Sequence, residues 1–210
     1  MSRGALIVVE GLDKSGKTTQ IKNCLQILRR DGFDVCQLSF PDRTTSIGQL
    51  ISSFLRGETV LDDRVVHLLF SANRWEKWKE IKERLMAGTT ILVDRYAYSG
   101  VAYTASKGYD WDWCLGPDKG LIAPDLVIYL SASSKVLETR SGYGQERYEN
   151  QLFQNRVSET FEKLVTHKWL RISSDRPIEE VTHHMIPPIR NIIDSCQNGA
   201  LPLGTLWTDG

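Results

Sequence analysis

Five short runs of aliphatic and β-branched residues recur along the chain, and the apolar positions between them fall at helical spacing. The runs at 5–10, 34–39, 90–93, 126–130 and 169–172 predict strands. Helices are predicted between them at 17–31, 46–55, 62–87 (with Trp75 as a candidate break point), 98–105, 134–140, 151–166 and 178–196. The first helix shows the pattern plainly: Ile21, Cys24, Leu25 and Leu28 lie on one stripe. The strands lack a polar alternation, as expected when both faces of a sheet are covered. Strand–helix alternation of this kind predicts an α/β fold, a three-layer α/β/α sandwich around a five-stranded parallel sheet. In such sheets ligands sit at the carboxyl ends of the strands, so the residues just past each strand carry the functional information.

After the first strand comes Gly11-Leu12-Asp13-Lys14-Ser15-Gly16-Lys17-Thr18, which fits the phosphate-cradling pattern G-x-x-x-x-G-K-[ST]. Gly11 and Gly16 let the backbone curl so that successive N–H groups face phosphate oxygens. Lys17 adds a point charge, the Thr18 hydroxyl suits Mg²⁺, and the start of the following helix favours an anion. After the second strand Phe40-Pro41-Asp42-Arg43 leaves an arginine near the phosphate end, or a solvated arginine after a turn. After the third, Asp94 is placed to hold Mg²⁺ through water and Arg95 to fork onto a phosphate, unless the two form a structural pair. Phe70 and Arg74 are four apart and share a helix face. They suit a planar heterocycle with carbonyl acceptors, or else Phe70 is core and Arg74 solvated. The stretch 140–150 holds Arg140, Glu146, Arg147, Tyr148 and Glu149 around Gly142 and Gly144, a composition that fits a lid over phosphates or an exposed charged loop.

Length and composition set limits. At 210 residues with 26 basic and 26 acidic side chains, the chain reads as a single domain, residues 1–210, with no bulk charge for nucleic acid. Cys24, Cys36, Cys114 and Cys196 lack metal or redox spacing. No apolar run approaches the ~18 residues of a membrane span, and no basic-then-apolar leader precedes the first strand. A soluble, cytoplasmic protein is expected. Residues 198–210 read as a surface tail that Leu201, Leu203, Leu206 and Trp207 can tack down. The function classes left are a phosphotransferase with a small-molecule acceptor, a regulatory nucleotide hydrolase and a non-enzymatic binding module. The Asn-Lys-x-Asp base-reading motif of a GTP switch is absent. A binding module leaves Lys17, Thr18 and Asp94 together without explanation.

The segments EGLDKSGKTTQ, FPDRTTSIGQLI, HLLFSANRWE, VDRYAYSGVAYT, DWCLGPDKGL with PDLVIYL, and GQERYENQLFQ occur in family order, and with them the chain resembles the thymidylate kinases. These are P-loop nucleoside monophosphate kinases. The pieces Asp112-Trp113-Cys114, Gly120-Leu121 and Pro124-Asp125 resemble the eukaryotic and poxvirus branch. The resemblance implies transfer of a phosphoryl group from ATP to dTMP, with Mg²⁺. It implies that Ser15, Gly16, Lys17, Thr18, Thr19, Arg140 and Arg176 bind ATP, Arg140 and Arg176 near the adenine. It implies that Arg43 and Arg95 hold the dTMP phosphate and Asp13 faces the sugar hydroxyl. Phe70 would stack on thymine, Arg74 would read its carbonyl edge, Tyr148 would pack where a 2′-hydroxyl would lie, and Ser99 and Tyr103 would line the pocket. The transition-state charge would come from Lys14, where the branch often has arginine, or from Arg147. Pairing into a homodimer through the helix around Val65-Val66-His67-Leu68-Leu69-Phe70 is implied as well. Another P-loop nucleoside or nucleotide kinase is the alternative, against which the Phe-Pro-x-Arg phosphate grip argues.

Overall fold

The computed structural model describes residues 2–133, 136–137, 147–148, 150–166 and 169–208. Its sheet is five-stranded and parallel, in the order β2-β3-β1-β4-β5. The strands are β1 (Leu6–Gly11), β2 (Val35–Ser39), β3 (Thr90–Asp94), β4 (Leu126–Ser131) and β5 (Trp169–Ser173). β1 is central and wholly buried, and its side chains alternate between two cores. Leu6 and Val8 pack with Ile81, Leu85, Val101 and Phe161 on one face. Ile7 and Val9 pack with Ile21, Leu28, Met185 and Ile189 on the other. This two-sided burial is why the strand carries no polar alternation.

The helices are α1 (Lys17–Arg30), α2 (Ser46–Leu55), α3 (Asp63–Trp75), α4 (Trp78–Met86), α5 (Ala97–Ala105), α6 (Trp111–Leu115), α7 (Gln151–Leu164) and α8 (Ile178–Gln197). α1 and α8 cover one face of the sheet, and α4, α5 and α7 the other. The stretch 62–87 is two helices, broken after Trp75. The break lets Ile81 and Leu85 of α4 enter the sheet core while α3 packs with α2 in a third cluster of Ile51, Phe54, Leu55 and Val66. Through Leu55 and the adjoining Phe70, that cluster borders the cleft at the carboxyl ends of the strands.

One feature departs from the sequence expectation. The short α6 and the 3-10 turn Gly116–Asp118 were not predicted. Asp110 caps α6 by accepting from the Trp113 N–H at 2.8 Å. The tail is tacked down as expected: Thr205 bridges Ile122, Leu206 is 4% exposed, and Arg3 donates to the carbonyls of Leu201 and Pro202. The predicted helix 134–140 and the lid residues 140–146 and 149 lie for the most part outside the described residues, Arg140, Gly142, Gly144, Glu146 and Glu149 among them.

Candidate active site

β1 and β3 end side by side, and the loop between β1 and α1 opens into a cleft of about 790 Å³. The loop supplies Asp13, Lys14, Ser15, Gly16, Lys17, Thr18 and Thr19 to its wall. Gly16 stands at φ 95° before α1, a conformation open to a residue without Cβ. Lys14 adopts φ 61° without that freedom, so the loop holds local strain. The Lys17 ammonium is folded into the loop and donates to the carbonyls of Leu12 at 2.6 Å and Gly11 at 3.2 Å. The Thr18 hydroxyl donates to Asp94 Oδ2 at 2.6 Å across the cleft mouth, so the two residues expected to share a metal stand together.

The opposite end of the cleft is aromatic and cationic. Arg43, Phe70, Arg74, Arg95, Ser99, Tyr103 and Tyr148 line it, and Arg176 lines the cleft as well. Arg95 leaves β3 at φ 65° and donates to Gly11 O at 3.0 Å, Ser99 Oγ at 3.1 Å and Asp13 Oδ1 at 2.5 Å. Tyr103 and Gln154 both donate to Asp13 Oδ2 at 2.8 Å. Tyr148 stands 5.7 Å, ring to ring, from Tyr103, and its hydroxyl accepts from Lys107 at 2.9 Å. One cavity thus joins the loop between β1 and α1 to a second region lined by aromatic rings and guanidinium groups.

A family model described as thymidylate kinase matches residues 9–186. The chain belongs to the thymidylate kinase family. It is 46% identical over 209 residues to a thymidylate kinase of Danio rerio, covering 98% of each chain. To one of Arabidopsis thaliana it is 46% identical over 206 residues, 98% of this chain and 78% of that one. A solved thymidylate kinase structure from Candida albicans superposes with a TM-score of 0.86 at 35% identity, covering 98% of this chain and 99% of that one.

Four of the quoted segments, EGLDKSGKTTQ, FPDRTTSIGQLI, HLLFSANRWE and VDRYAYSGVAYT, send residues into the cleft wall, and GQERYENQLFQ reaches it through Tyr148, whereas DWCLGPDKGL and PDLVIYL lie outside the lining. Arg147 does not line the cleft. Its guanidinium lies over the Phe54 ring at 4.3 Å, and its Nε donates to Phe54 O at 3.2 Å. An aromatic face and a carbonyl hold it against α2 instead of the phosphates. Arg74 is neither solvated nor loosely placed: it is 2% exposed and clamped to Asp118.

Sequence reasoning missed four residues that bond to the lining of this cleft. Glu10 is fully buried at the end of β1 and accepts from the Tyr96 and Ser99 N–H groups at 2.9 and 3.1 Å and the Ser99 hydroxyl at 2.6 Å. An acid closing an apolar run was its available signal, as for Asp94. Lys107 and Asp118 touch the site through Tyr148 and Arg74, far away in sequence, and Gln154 through Asp13 as well as the nearby Tyr148 carbonyl; Gln154 and Asp118 lie inside quoted segments, but no spacing marked them as site residues.

The electrostatics follow from burial and pairing. Burial raises the Glu10 carboxyl above its ordinary range, against the opposing pull of its hydrogen bonds and Arg95. Burial alone would raise the Asp13 carboxyl too, but Arg95, Lys17 and two hydrogen bonds hold it below that range. Burial, with Arg95 nearby, pushes the Lys17 ammonium down to about 8. A ligand phosphate beside Lys17 would offset that desolvation.

Proposed function

We propose that the chain transfers the terminal phosphoryl group of ATP to dTMP, giving ADP and dTDP. The observation that carries this is the continuity of one cleft from the phosphate loop to Phe70 and Arg74. A hydrolase needs no second organic pocket. A kinase for a small acceptor does.

An oxygen of the dTMP phosphate attacks the γ-phosphorus of ATP, and the bond to the β,γ-bridging oxygen breaks. The attacking group is already an anion, so positioning and charge neutralisation supply the catalysis. Arg43 and Arg95 grip the acceptor phosphate. Ser15, Gly16, Lys17, Thr18 and Thr19 hold the donor phosphates, and Arg176 borders the adenine. Phe70 stacks on the base, Arg74 reads its carbonyl edge, and Ser99 and Tyr103 close the pocket. Asp13 orients the sugar hydroxyl while aligning Arg95. Tyr148 fills the space a 2′-hydroxyl would need. Lys14 supplies transition-state charge, an assignment supported by the contacts that hold Arg147 elsewhere.

Mg²⁺ fits this site. Among the described residues no group of three or more His, Cys, Asp or Glu could hold a metal. The hydroxyl of Thr18 and the carboxylate of Asp94 are hard oxygen donors of the kind Mg²⁺ takes in ones and twos beside phosphates and water. When bound it would neutralise charge on the transferring phosphoryl group.

The protein works as a homodimer in this reading. On α3, Val66 is buried at 3% exposure while its neighbours Val65 and Leu68 are 45% and 49% exposed. That leaves an apolar outer face suited to a second copy. Among the described residues no helix is long and apolar enough to cross a membrane. The four cysteines are free, in keeping with a reducing, cytoplasmic setting.

The test is phosphoryl transfer from ATP to a panel of nucleosides and nucleoside monophosphates, read by coupled ADP release. We expect dTMP first, dUMP second and dCMP far behind. Equal use of a nucleoside lacking phosphate, or ATP hydrolysis indifferent to acceptor, would refute it.

A further inference from the structure

Asp118 has no exposed surface and sits in the 3-10 turn after α6, 44 residues from Arg74. Its Oδ1 accepts from Arg74 Nε at 3.0 Å, and its Oδ2 from Nη2 at 2.6 Å. Ser71, one turn before Arg74 on α3, donates to the same Oδ1 at 2.8 Å. Trp75 Nε1 and Ser71 Oγ both donate to Pro117 O, at 2.8 and 3.0 Å, so the turn is stitched to α3 on either side of Arg74. A two-point grip fixes a planar guanidinium in both position and rotation. Gly100 of α5, which also lines the cleft, stands close against the same guanidinium. A Cβ built there would meet Arg74 Nη2 at 2.9 Å and Nη1 at 3.5 Å. Arg74 is therefore gripped by a carboxylate along its Nε–Nη2 edge, and the room its guanidinium takes exists because Gly100 carries no side chain.

We propose that Asp118, with Gly100 leaving room for the guanidinium, is a specificity-determining positioning residue, which turns the remaining N–H groups of Arg74 toward the acceptor base and so sets the preference for a base with a carbonyl over one with an amino group. The proposal rests on the base-reading role of Arg74. An arginine tethered at one point could tilt to avoid an amino donor, and the mismatch would cost little. One held rigidly leaves the wrong base facing an unpaired donor, the condition for strong rejection. The positioning group thus governs discrimination more than phosphate binding or ATP affinity.

The experiment uses the full-length chain with the variants Arg74→Ala, Asp118→Asn, Gly100→Ala and the Arg74→Ala/Asp118→Asn double. For each, kcat and KM are measured with dTMP, dUMP and dCMP at saturating ATP, beside the KM for ATP and a thermal melt. Asp118→Asn keeps volume but turns a donor toward the guanidinium. We expect it to lower the dTMP-over-dCMP ratio of kcat/KM by about tenfold or more, with the KM for ATP unmoved. Gly100→Ala should lower the ratio in the same direction, and it keeps the proposal testable should Asp118→Asn fail to fold. The double should discriminate no worse than Arg74→Ala alone, since both act through one group. Folded Asp118→Asn and Gly100→Ala proteins with a wild-type ratio, beside an Arg74→Ala protein that has lost it, would overturn the positioning role and spare the base reader. A wild-type ratio in Arg74→Ala would overturn the base reader and this proposal with it.

Discussion

Asp13, in the phosphate loop, and Arg95, at the end of β3, are joined by an ion pair of 2.5 Å that links the donor and acceptor ends of the cleft. Arg95 also donates to Gly11 O and Ser99 Oγ, so its orientation depends on the loop it faces. Asp13→Asn keeps the shape but removes the charge. The expected result is a KM for dTMP raised about tenfold or more with a much smaller change in the KM for ATP. Steady-state kinetics with each substrate varied in turn would check this, and equal effects on both would argue against an acceptor-side role.

The same variant carries a pH signature. The Asp13 carboxyl is held below its unfolded range, with Arg95 and Lys17 outweighing burial. Its stabilising contribution is present above the unfolded value of about 4 and lost as pH falls through the folded value. Thermal melts from neutral to acid pH should show the wild-type advantage over Asp13→Asn shrinking below about pH 4. Glu10, shifted upward by burial, titrates against this trend but is common to both proteins. A difference that stays constant with pH would remove the ion pair as its source.

Lys17 makes a different prediction. Burial and Arg95 push its ammonium down to about 8, so near that pH a fraction of the ligand-free chains carry it neutral. A donor phosphate restores the charge. ATP binding near pH 8 should therefore take up a fraction of a proton, read by calorimetry in two buffers of different ionisation enthalpy. The uptake should vanish in Lys17→Met. That variant should fold and lose transfer by about a hundredfold or more. Near-normal turnover in a folded Lys17→Met would reject the donor role.

The exposed edge of α3 predicts the oligomer. Leu68 is about half exposed while Val66 beside it is buried, so Leu68→Glu should leave the fold intact and oppose pairing. Sedimentation equilibrium should give a dimer for wild type and a species near 24 kDa for the variant. A wild-type monomer across micromolar concentrations would exclude the α3 interface.

Where the sequence was readable, burial made it so. The strands of a two-sided parallel sheet must be apolar on both faces, and all five were legible; their ends slipped because Gly11, Asp94, Ser131 and Ser173 are polar or small residues that still pair. The phosphate loop was legible because a cradle for anions demands fixed residue types at fixed spacing. Arg147 was not. Its charge and setting look like a lid cation, and the Phe54 ring that captures it arrives from 93 residues away. The 3-10 turn that delivers Asp118 is too short for any periodicity, so the clamp on Arg74 was invisible although its spacing from Phe70 had marked Arg74 as a candidate.

With Arg147 held against α2, the source of transition-state charge becomes a question about Lys14. Its backbone stands at φ 61° on the cleft wall. Arginine and methionine both have a Cβ, so either replacement keeps the strain of that conformation, and a rate difference between them reports the side-chain head. An ammonium is a point charge, whereas a guanidinium can fork across two phosphate oxygens. Lys14→Arg should preserve or raise the rate of the chemical step. Lys14→Met should lower it by on the order of a hundredfold, the scale for removing one well-placed donor to developing charge. Single-turnover kinetics at saturating ATP and dTMP isolate that step from product release. If Lys14→Met reacts at the wild-type single-turnover rate, the charge comes from elsewhere, and Arg147 would have to leave Phe54 to supply it. In that case Arg147→Met, nearly silent under the Lys14 assignment, would carry the hundredfold loss instead.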